Sequence, residues 1–189
     1  MAEIRAELIG EASGRTLEIG AGTGLNLPHY TEAVTELLVT EPDPFMASRL
    51  RKRLAADPPR PARVRVVEAP AEELPFEDES FETVVSTLVL CSVEAPDRAV
   101  AEIARVLGPA GQLLCVEHVR SPDSPGLARW QDRLERPWGW FAGGCHPNRD
   151  TVAELEAAGL QTEELVRDEL PKVPPIVRPL VRGPARRSG

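Results

Sequence analysis

The chain is short of aromatic residues, of cysteine, of positive charge and of long apolar runs, and each shortage excludes something. Only 4% of its 189 residues are aromatic, made up of 4 Phe, 3 Trp and 1 Tyr. No apolar run approaches the ~18 residues that a membrane-spanning helix needs, so the sequence shows no transmembrane segment. Met1-Ala2-Glu3-Ile4-Arg5 lacks a basic flank followed by an apolar stretch, which excludes a secretory signal there. The 3 cysteines, Cys91, Cys115 and Cys145, cannot all pair, and none forms a C-x-x-C. That argues against a disulfide framework or a zinc module and for a reducing cytoplasm. Three His and three Cys without ligand spacing predict no metal site. The net charge of −8 disfavours a nucleic-acid partner.

Proline is in excess, with 19 residues against an average near ~5%. Half of the scarce aromatics, Trp130, Trp138, Trp140 and Phe141, fall in one short stretch. Residues 171–189 are Pro-rich and basic, with Lys172, Arg178, Arg182, Arg186 and Arg187 and no acid.

Apolar periodicity alternates between strand and helix along the chain. Ile4 and Leu8 share one face of a brief helix over 3–12. Residues 15–19, 36–40, 63–67, 81–90 and 112–116 read as strands, with a sixth over 161–166. Asp43-Pro44 opens a helix as N-cap and first-turn proline, and Asp57-Pro58-Pro59 closes it. A further helix starts near Pro96 and stops at Gly108, and another runs from about Asp150 to Ala158 and ends at Gly159. This order predicts a single-domain, doubly wound α/β fold with a mostly parallel, seven-stranded Rossmann-like sheet. Residues 119–147 break the alternation and read as an insertion or cap. For 171–189 composition allows either a loose tail or a last edge strand around Leu180 to Arg182.

The first strand runs into Gly20-Ala21-Gly22-Thr23-Gly24. A Gly-rich turn at that point lets a ligand approach the backbone closely. The spacing is G-x-G-x-G, one residue short of the dinucleotide fingerprint, and no Gly-Lys-Ser/Thr follows. An NAD-linked oxidoreductase and a P-loop are therefore disfavoured. Glu41 lies just past the second strand, about 20 residues on, where an acid accepts both hydroxyls of a ribose. Alone, the loop could be a structural turn and Glu41 an exposed strand-end charge; together they point to a nucleoside. Glu18 is an acid inside an apolar strand and needs a partner, either the loop or a cationic end of the ligand.

Leu17-Glu18-Ile19-Gly20-Ala21-Gly22-Thr23-Gly24 resembles the first motif of the class I S-adenosylmethionine-dependent methyltransferases. Glu41-Pro42-Asp43-Pro44-Phe45-Met46 resembles the second, and Ala71-Glu72-Glu73-Leu74-Pro75-Phe76 with Ser80-Phe81-Glu82-Thr83-Val84-Val85 the third and fourth. Arg105-Val106-Leu107-Gly108-Pro109-Ala110-Gly111 resembles the turn before their fifth strand. Together these motifs make 15–118 a cofactor-binding core. Asn26-Leu27-Pro28-His29-Tyr30, Thr87 to Val93, Glu117-His118-Val119 and Trp138 to Cys145 are similar to the small branch related to animal alkyl-thiol methyltransferases.

The resemblance implies S-adenosyl-L-methionine as cofactor. It places Gly20, Ala21 and Gly22 against the methionine part and makes Glu18, Gly24 and Asn26 cofactor-binding as well. Glu41 would hold the ribose, Pro42 and Met46 pack near the adenine, and Ala71 and Glu72 flank its edge. Thr87 and Leu88 would lie beside the sulfonium and its methyl group. Two departures stand out. Pro70 occupies the position where many relatives carry Asp or Asn for the adenine amine. Only 14 residues precede the first strand, so the N-terminal lid helix of relatives is expected to be shortened or absent here, or the true start lies upstream of Met1.

Methyl transfer aligns a nucleophile with the methyl group, excludes water and removes a proton where the acceptor carries one. His118, at the active edge after the fifth strand, is a candidate base, with Glu117 to orient it or to bind a polar acceptor. His118 could equally be a hydrogen-bonding residue of the sheet, and His146 is a second candidate. His29 follows the loop and would shape the cofactor pocket. Cys91 is a core hydrophobe or lines an acceptor pocket, and Cys145, after two glycines, is expected to be more exposed. Trp138, Trp140 and Phe141 form either the acceptor pocket or a small satellite core. With Arg129, Arg133, Arg136 and the basic tail they also suit a membrane surface.

The expected function is methyl transfer to a small-molecule acceptor, a thiol first. Oxygen, nitrogen or carbon acceptors of quinone, lipid or secondary metabolism are alternatives, as is a non-catalytic cofactor-binding module. The sequence leaves the oligomeric state open.

Overall fold

A computed structural model describes residues 1–60 and 63–187, so the Ser188-Gly189 end of the basic tail lies outside the described residues. Five strands run parallel in the spatial order β3-β2-β1-β4-β5. They are β1 (Gly14–Ile19), β2 (Val34–Thr40), β3 (Val64–Val67), β4 (Phe81–Thr87) and β5 (Leu107–His118). β8 (Pro179–Arg187) lies antiparallel beside β5. Its far side takes two short strands, β6 (Leu160–Gln161) and β7 (Val166–Glu169). The sheet thus has the seven expected positions, the last shared by two strands.

The helices are α1 (Ala2–Ile9), α2 (Pro44–Ala56), α3 (Pro96–Val106), α4 (Pro125–Phe141) and α5 (Thr151–Ala157). Central strands are apolar on both faces because both are covered. Leu17, Val84, Leu113 and Cys115 join one core with α3 and Leu155 of α5. Val85, Leu114 and Val116, at alternate positions, join a second core with Leu8 and Ile9 of α1 and Leu50 of α2. Asp43 caps α2 as expected, its Oδ1 accepting from Met46 N at 2.8 Å.

Four expectations need correction. Gly108 does not stop α3. The helix ends at Val106, Leu107 turns at once to φ −69°, ψ 131°, and β5 begins there instead of at 112. The fourth strand ends at Thr87 instead of running to Leu90, because Leu88 takes a left-handed φ of 58°. Most of the expected sixth strand, 161–166, is the turn between β6 and β7.

The fourth correction concerns the basic tail, which is neither loose nor an edge. β8 has neighbours on both sides. Pro184 falls in the stretch 183–185, which faces the gap between β6 and β7 and has one paired side only. The three arginines of β8 are matched by acids of the rest of the chain. Arg182 bonds Asp168 and Glu7, Arg186 bonds Glu164, and Arg187 bonds Glu79.

The segment 119–147 holds α4, capped by Ser124 with Pro125 in the first turn. A buried side chain helps to dock it. Gln131, fully buried, donates from Nε2 to the carbonyls of Val119, Pro147 and Ile176, and accepts from Ser121 N.

Candidate functional site

The carboxyl ends of the parallel strands open on a cavity of about 750 Å³, in the crevice where ligands of open α/β sheets lie. β1 delivers the glycine loop. Gly20 has φ 55°, and a Cβ there would sit 2.7 Å from Val89 Cγ2, so only glycine lets the two loops meet. Ala21 N donates to Thr40 O, which ties the loop to the end of β2.

Glu41 caps that end. Its Oε2 accepts from Gly22 N at 2.8 Å and its Oε1 from Asp43 N at 3.0 Å. It is 7% exposed and lines the cavity, so the strand-end alternative is set aside. Two backbone donors fix the carboxylate, and each oxygen retains a further lone pair to accept a diol.

Behind the loop, Glu18 is fully buried. Tyr30 Oη donates to its Oε2 at 2.7 Å and Asn26 Nδ2 to its Oε1 at 3.0 Å. Asn26 Nδ2 also reaches Thr87 Oγ1 at 3.1 Å, so one amide links the ends of β1 and β4. Desolvation raises the Glu18 pKa to about 7, against the pull of its two donors and of Arg5. Asn26 Oδ1 is buried without a hydrogen-bond partner.

Of the residues expected around the cofactor, Gly20, Glu41, Pro42, Met46, Ala71, Glu72 and Leu88 line the cavity. Glu18, Ala21, Gly22, Gly24, Asn26 and Thr87 are not in this lining; Gly22 bonds Glu41, and Asn26 bonds Glu18 and Thr87. Gly24, with φ 78°, packs its α-carbon where a Cβ would meet Leu50 and Leu27 at 2.6 and 2.7 Å. Glu72 Oε1 accepts from Glu94 N and Ala95 N, so it also anchors the segment before α3. Val89, Ser92, Val93 and Gly143, given no role in the site from sequence, also line the cavity, as do Glu73, Glu94, Ala95 and Arg98. His29 sits in a 3-10 turn away from the cavity lining, and its neighbour Tyr30 is the residue that reaches the site.

Glu117 takes a different part from the one expected. It is fully buried, outside the lining, and holds the β4–α3 turn instead of His118. Oε1 accepts from Ser86 Oγ at 2.6 Å and Val89 N at 3.0 Å, and Oε2 from Cys91 N at 3.2 Å. Burial raises its pKa. This carboxylate secures Leu88 in its strained conformation at the cavity wall.

None of Cys91, Trp138, Trp140, Phe141 and His146, expected in the acceptor pocket, is in the lining of this cavity. Trp140 and Phe141 are 83% and 79% exposed and touch each other at a tilt of 60°, with ring centroids 4.8 Å apart. Trp138 is half-buried, and His146 pairs through Nδ1 with Glu135 at 2.6 Å. Cys145, expected to be exposed, is buried against Cys91 and His118. Its hydrogen bond with Cys91 lowers the Cys145 pKa and raises that of Cys91.

A methyltransferase domain model matches residues 17–115. Thiol S-methyltransferase TMT1B of Homo sapiens is 35% identical over 163 residues, covering 85% of this chain and 66% of that protein. The same-named protein of Rattus norvegicus is 34% identical over 149 residues, covering 79% and 61%. The chain thus spans somewhat less than two thirds of the length of these relatives. In fold, it is similar to the N-methyltransferase NodS from Bradyrhizobium japonicum WM9, in complex with S-adenosyl-L-homocysteine. That similarity has a TM-score of 0.71, 17% identity, and covers 98% of this chain and 84% of that one.

Proposed function

The chain belongs to the methyltransferase domain family, and on that premise we propose that it is an S-adenosylmethionine-dependent methyltransferase acting on a small-molecule acceptor, a thiol first. The observation that carries the cofactor is Glu41, fixed by two backbone N–H groups at the mouth of a glycine loop and facing a cavity of nucleoside size. The donor chemistry fits: a carboxylate for the ribose diol, Pro42, Met46 and Ala71 as apolar surface for a purine, and the buried Glu18 for a cationic group. Asn26 Oδ1, buried without a partner, adds an acceptor on the same side.

When bound, the cofactor supplies an electrophilic methyl group. The chain's own residues do the rest. Glu41 orients the ribose, and the Glu18–Tyr30–Asn26 cluster balances positive charge behind the loop. Glu117 clamps the turn that sets Leu88 against the reacting centre and keeps water out. Pro70 lines the cavity, so adenine recognition falls to backbone groups and Glu72.

The thiol assignment draws on the printed activity of the TMT1B relatives. It also suits the chemistry: a thiol of pKa ~8.5 is partly ionised at neutral pH and needs little help from a base. The segment 119–147 serves as the acceptor cap through Gly143, which lines the cavity. A cytoplasmic setting rests on the three free thiols. Among the described residues no helix is long and apolar enough to cross a membrane. The exposed Trp130, Trp140 and Phe141 suit contact with a lipid surface.

Isothermal titration with S-adenosylmethionine tests the cofactor, and no binding at millimolar concentration would sink the proposal. An acceptor screen comparing thiols, amines, phenols and quinols then reads S-adenosylhomocysteine release. Preferred turnover of a non-thiol overturns the acceptor, and cofactor binding without any turnover leaves a binding module.

A further inference from the structure

Three side chains distant in sequence meet at one point, outside the lining of the cavity but with Cys91 and Cys145 close in sequence to residues that line it. Cys91 follows β4, His118 ends β5 and Cys145 follows α4. Cys145 Sγ lies 3.8 Å from Cys91 Sγ and 3.5 Å from His118 Nδ1, and Cys91 Sγ lies 3.8 Å from the same nitrogen. A tetrahedral zinc shell has bonds of ~2.3 Å to sulfur and ~2.0–2.1 Å to nitrogen. Its edges are therefore ~3.8 Å between two sulfurs and ~3.6 Å between sulfur and nitrogen. All three distances agree with those edges within the ~0.2 Å expected of a metal site. They do not suit a disulfide, whose sulfurs are ~2.05 Å apart.

The donors are held by backbone. Cys91 N donates to Glu117 Oε2, and Cys91 O accepts from His146 N at 2.6 Å, which brings the Cys145 loop against the β4–α3 turn. Gly143 and Gly144, at φ 60° and 84°, turn that loop inward. Two thiolates and an imidazole are a borderline-soft set, suited to zinc and poor for magnesium or calcium. Among the described residues, no further His, Cys, Asp or Glu joins the group. A three-residue ligand set is the one that zinc sites use when the fourth ligand is water or substrate. Ser92 and Gly143, neighbours of the cluster in sequence, line the cavity.

We infer that Cys91, His118 and Cys145 bind one zinc ion whose fourth position takes the sulfur of the methyl acceptor. The metal site stands on its own geometry, whereas its use by an acceptor rests on the thiol reading above. The acceptor thiol gives its proton to solvent as its sulfur displaces water from the metal. That sulfur then forms a bond to the methyl carbon, while the bond from this carbon to the cofactor sulfur breaks and leaves its electron pair there. The neutral thioether is a poorer ligand than the thiolate and departs.

The test is a cobalt(II) titration of the purified, reduced chain, with zinc(II) as competitor. The expected result is one cobalt ion per chain, with the visible absorption of a tetrahedral ion and a sulfur-to-cobalt charge-transfer band, both abolished by zinc. Cys91→Ser and Cys145→Ser should each weaken binding at least tenfold, while Cys115→Ser leaves it unchanged. Absence of stoichiometric binding to the unmodified chain, which needs no variant to fold, overturns the site. So does a spectrum unaffected by Cys91→Ser and Cys145→Ser.

For the fourth position, 2-mercaptoethanol is added to the cobalt form with S-adenosylhomocysteine present, so that no turnover occurs. A shifted spectrum supports sulfur coordination, and an unshifted one overturns it. Thiol methylation at an undiminished rate by the metal-free chain also overturns the use of zinc, while upholding the thiol reading.

Discussion

Lowering the pH from 8 to 6 should weaken S-adenosylmethionine binding about tenfold, and Glu18 sets the size of that change. The carboxyl is fully buried, and desolvation raises its pKa to about 7 despite hydrogen bonds from Tyr30 and Asn26. A group of pKa ~7 is roughly 90% ionised at pH 8 and roughly 9% at pH 6. If the ionised form binds the cationic cofactor and the neutral form does not, the apparent Kd follows that fraction. Bound cofactor lowers the pKa in turn, so association near pH 7 releases a fraction of a proton. Isothermal titration in two buffers of different ionisation enthalpy reads both quantities. Glu18→Gln should flatten the profile, and Tyr30→Phe, which removes a donor to the ionised form, should move its midpoint to higher pH. A Kd constant within twofold between pH 6 and 8, or an equal slope in Glu18→Gln, would refute the reasoning.

The same carboxyl shapes stability. Its folded pKa lies above the unfolded value of 4.5, so the stabilising contribution is full below pH 4.5 and is lost as the pH rises to about 7. The loss amounts to about 3 kcal/mol, and urea unfolding of the ligand-free chain at pH 5 and 8 should show it shrinking in Glu18→Gln. Glu41→Ala should weaken cofactor binding by ~1–3 kcal/mol through lost charge-assisted hydrogen bonds, and unchanged affinity in calorimetry would remove the ribose assignment. Gly20→Ala should abolish cofactor binding, since the new methyl meets Val89 at 2.7 Å in a left-handed turn; binding with native affinity would mean that the two loops yield easily. Gln131→Leu should cost ~2–4 kcal/mol in thermal or denaturant unfolding, because it strips partners from three carbonyls and one N–H. A loss under 1 kcal/mol would show that α4 is docked by other contacts.

The cofactor half of the site is legible because its residues act locally. Gly20 to Gly24 must turn within five positions, and Glu41 must follow a strand, so composition and spacing betray both. The acceptor half is built differently. Cys91 and Cys145 are 54 positions apart, with His118 27 from each, and only the pairing of β4 with β5 and the docking of α4 bring them together. No spacing rule reports such a meeting.

Glu117 was legible as a polar residue at the active edge, but apart from Ser86 its donors come from the backbone of 89–91, which no side-chain pattern reveals. The aromatic stretch misled because apolar clustering marks a pocket and an exposed face alike. Ser124-Pro125 carried a readable helix start that the aromatic stretch obscured. β8 was misread because Pro and Arg are edge residues by composition, whereas here Asp168, Glu164 and Glu79 neutralise the arginines.

The position of β8 also fixes when the molecule can be finished. During synthesis, β1 to β5 can assemble as soon as His118 has emerged, but β6 and β7 have no strand to pair with until 179–187 follow. The flank of β5 stays open over that interval, a bare edge of the kind that invites pairing with other chains. Truncation before Pro179 would therefore remove more than one strand, because it orphans two others and takes away the Pro179 carbonyl to which Val119 N donates. Folding should accordingly show a late step that waits for 179–187.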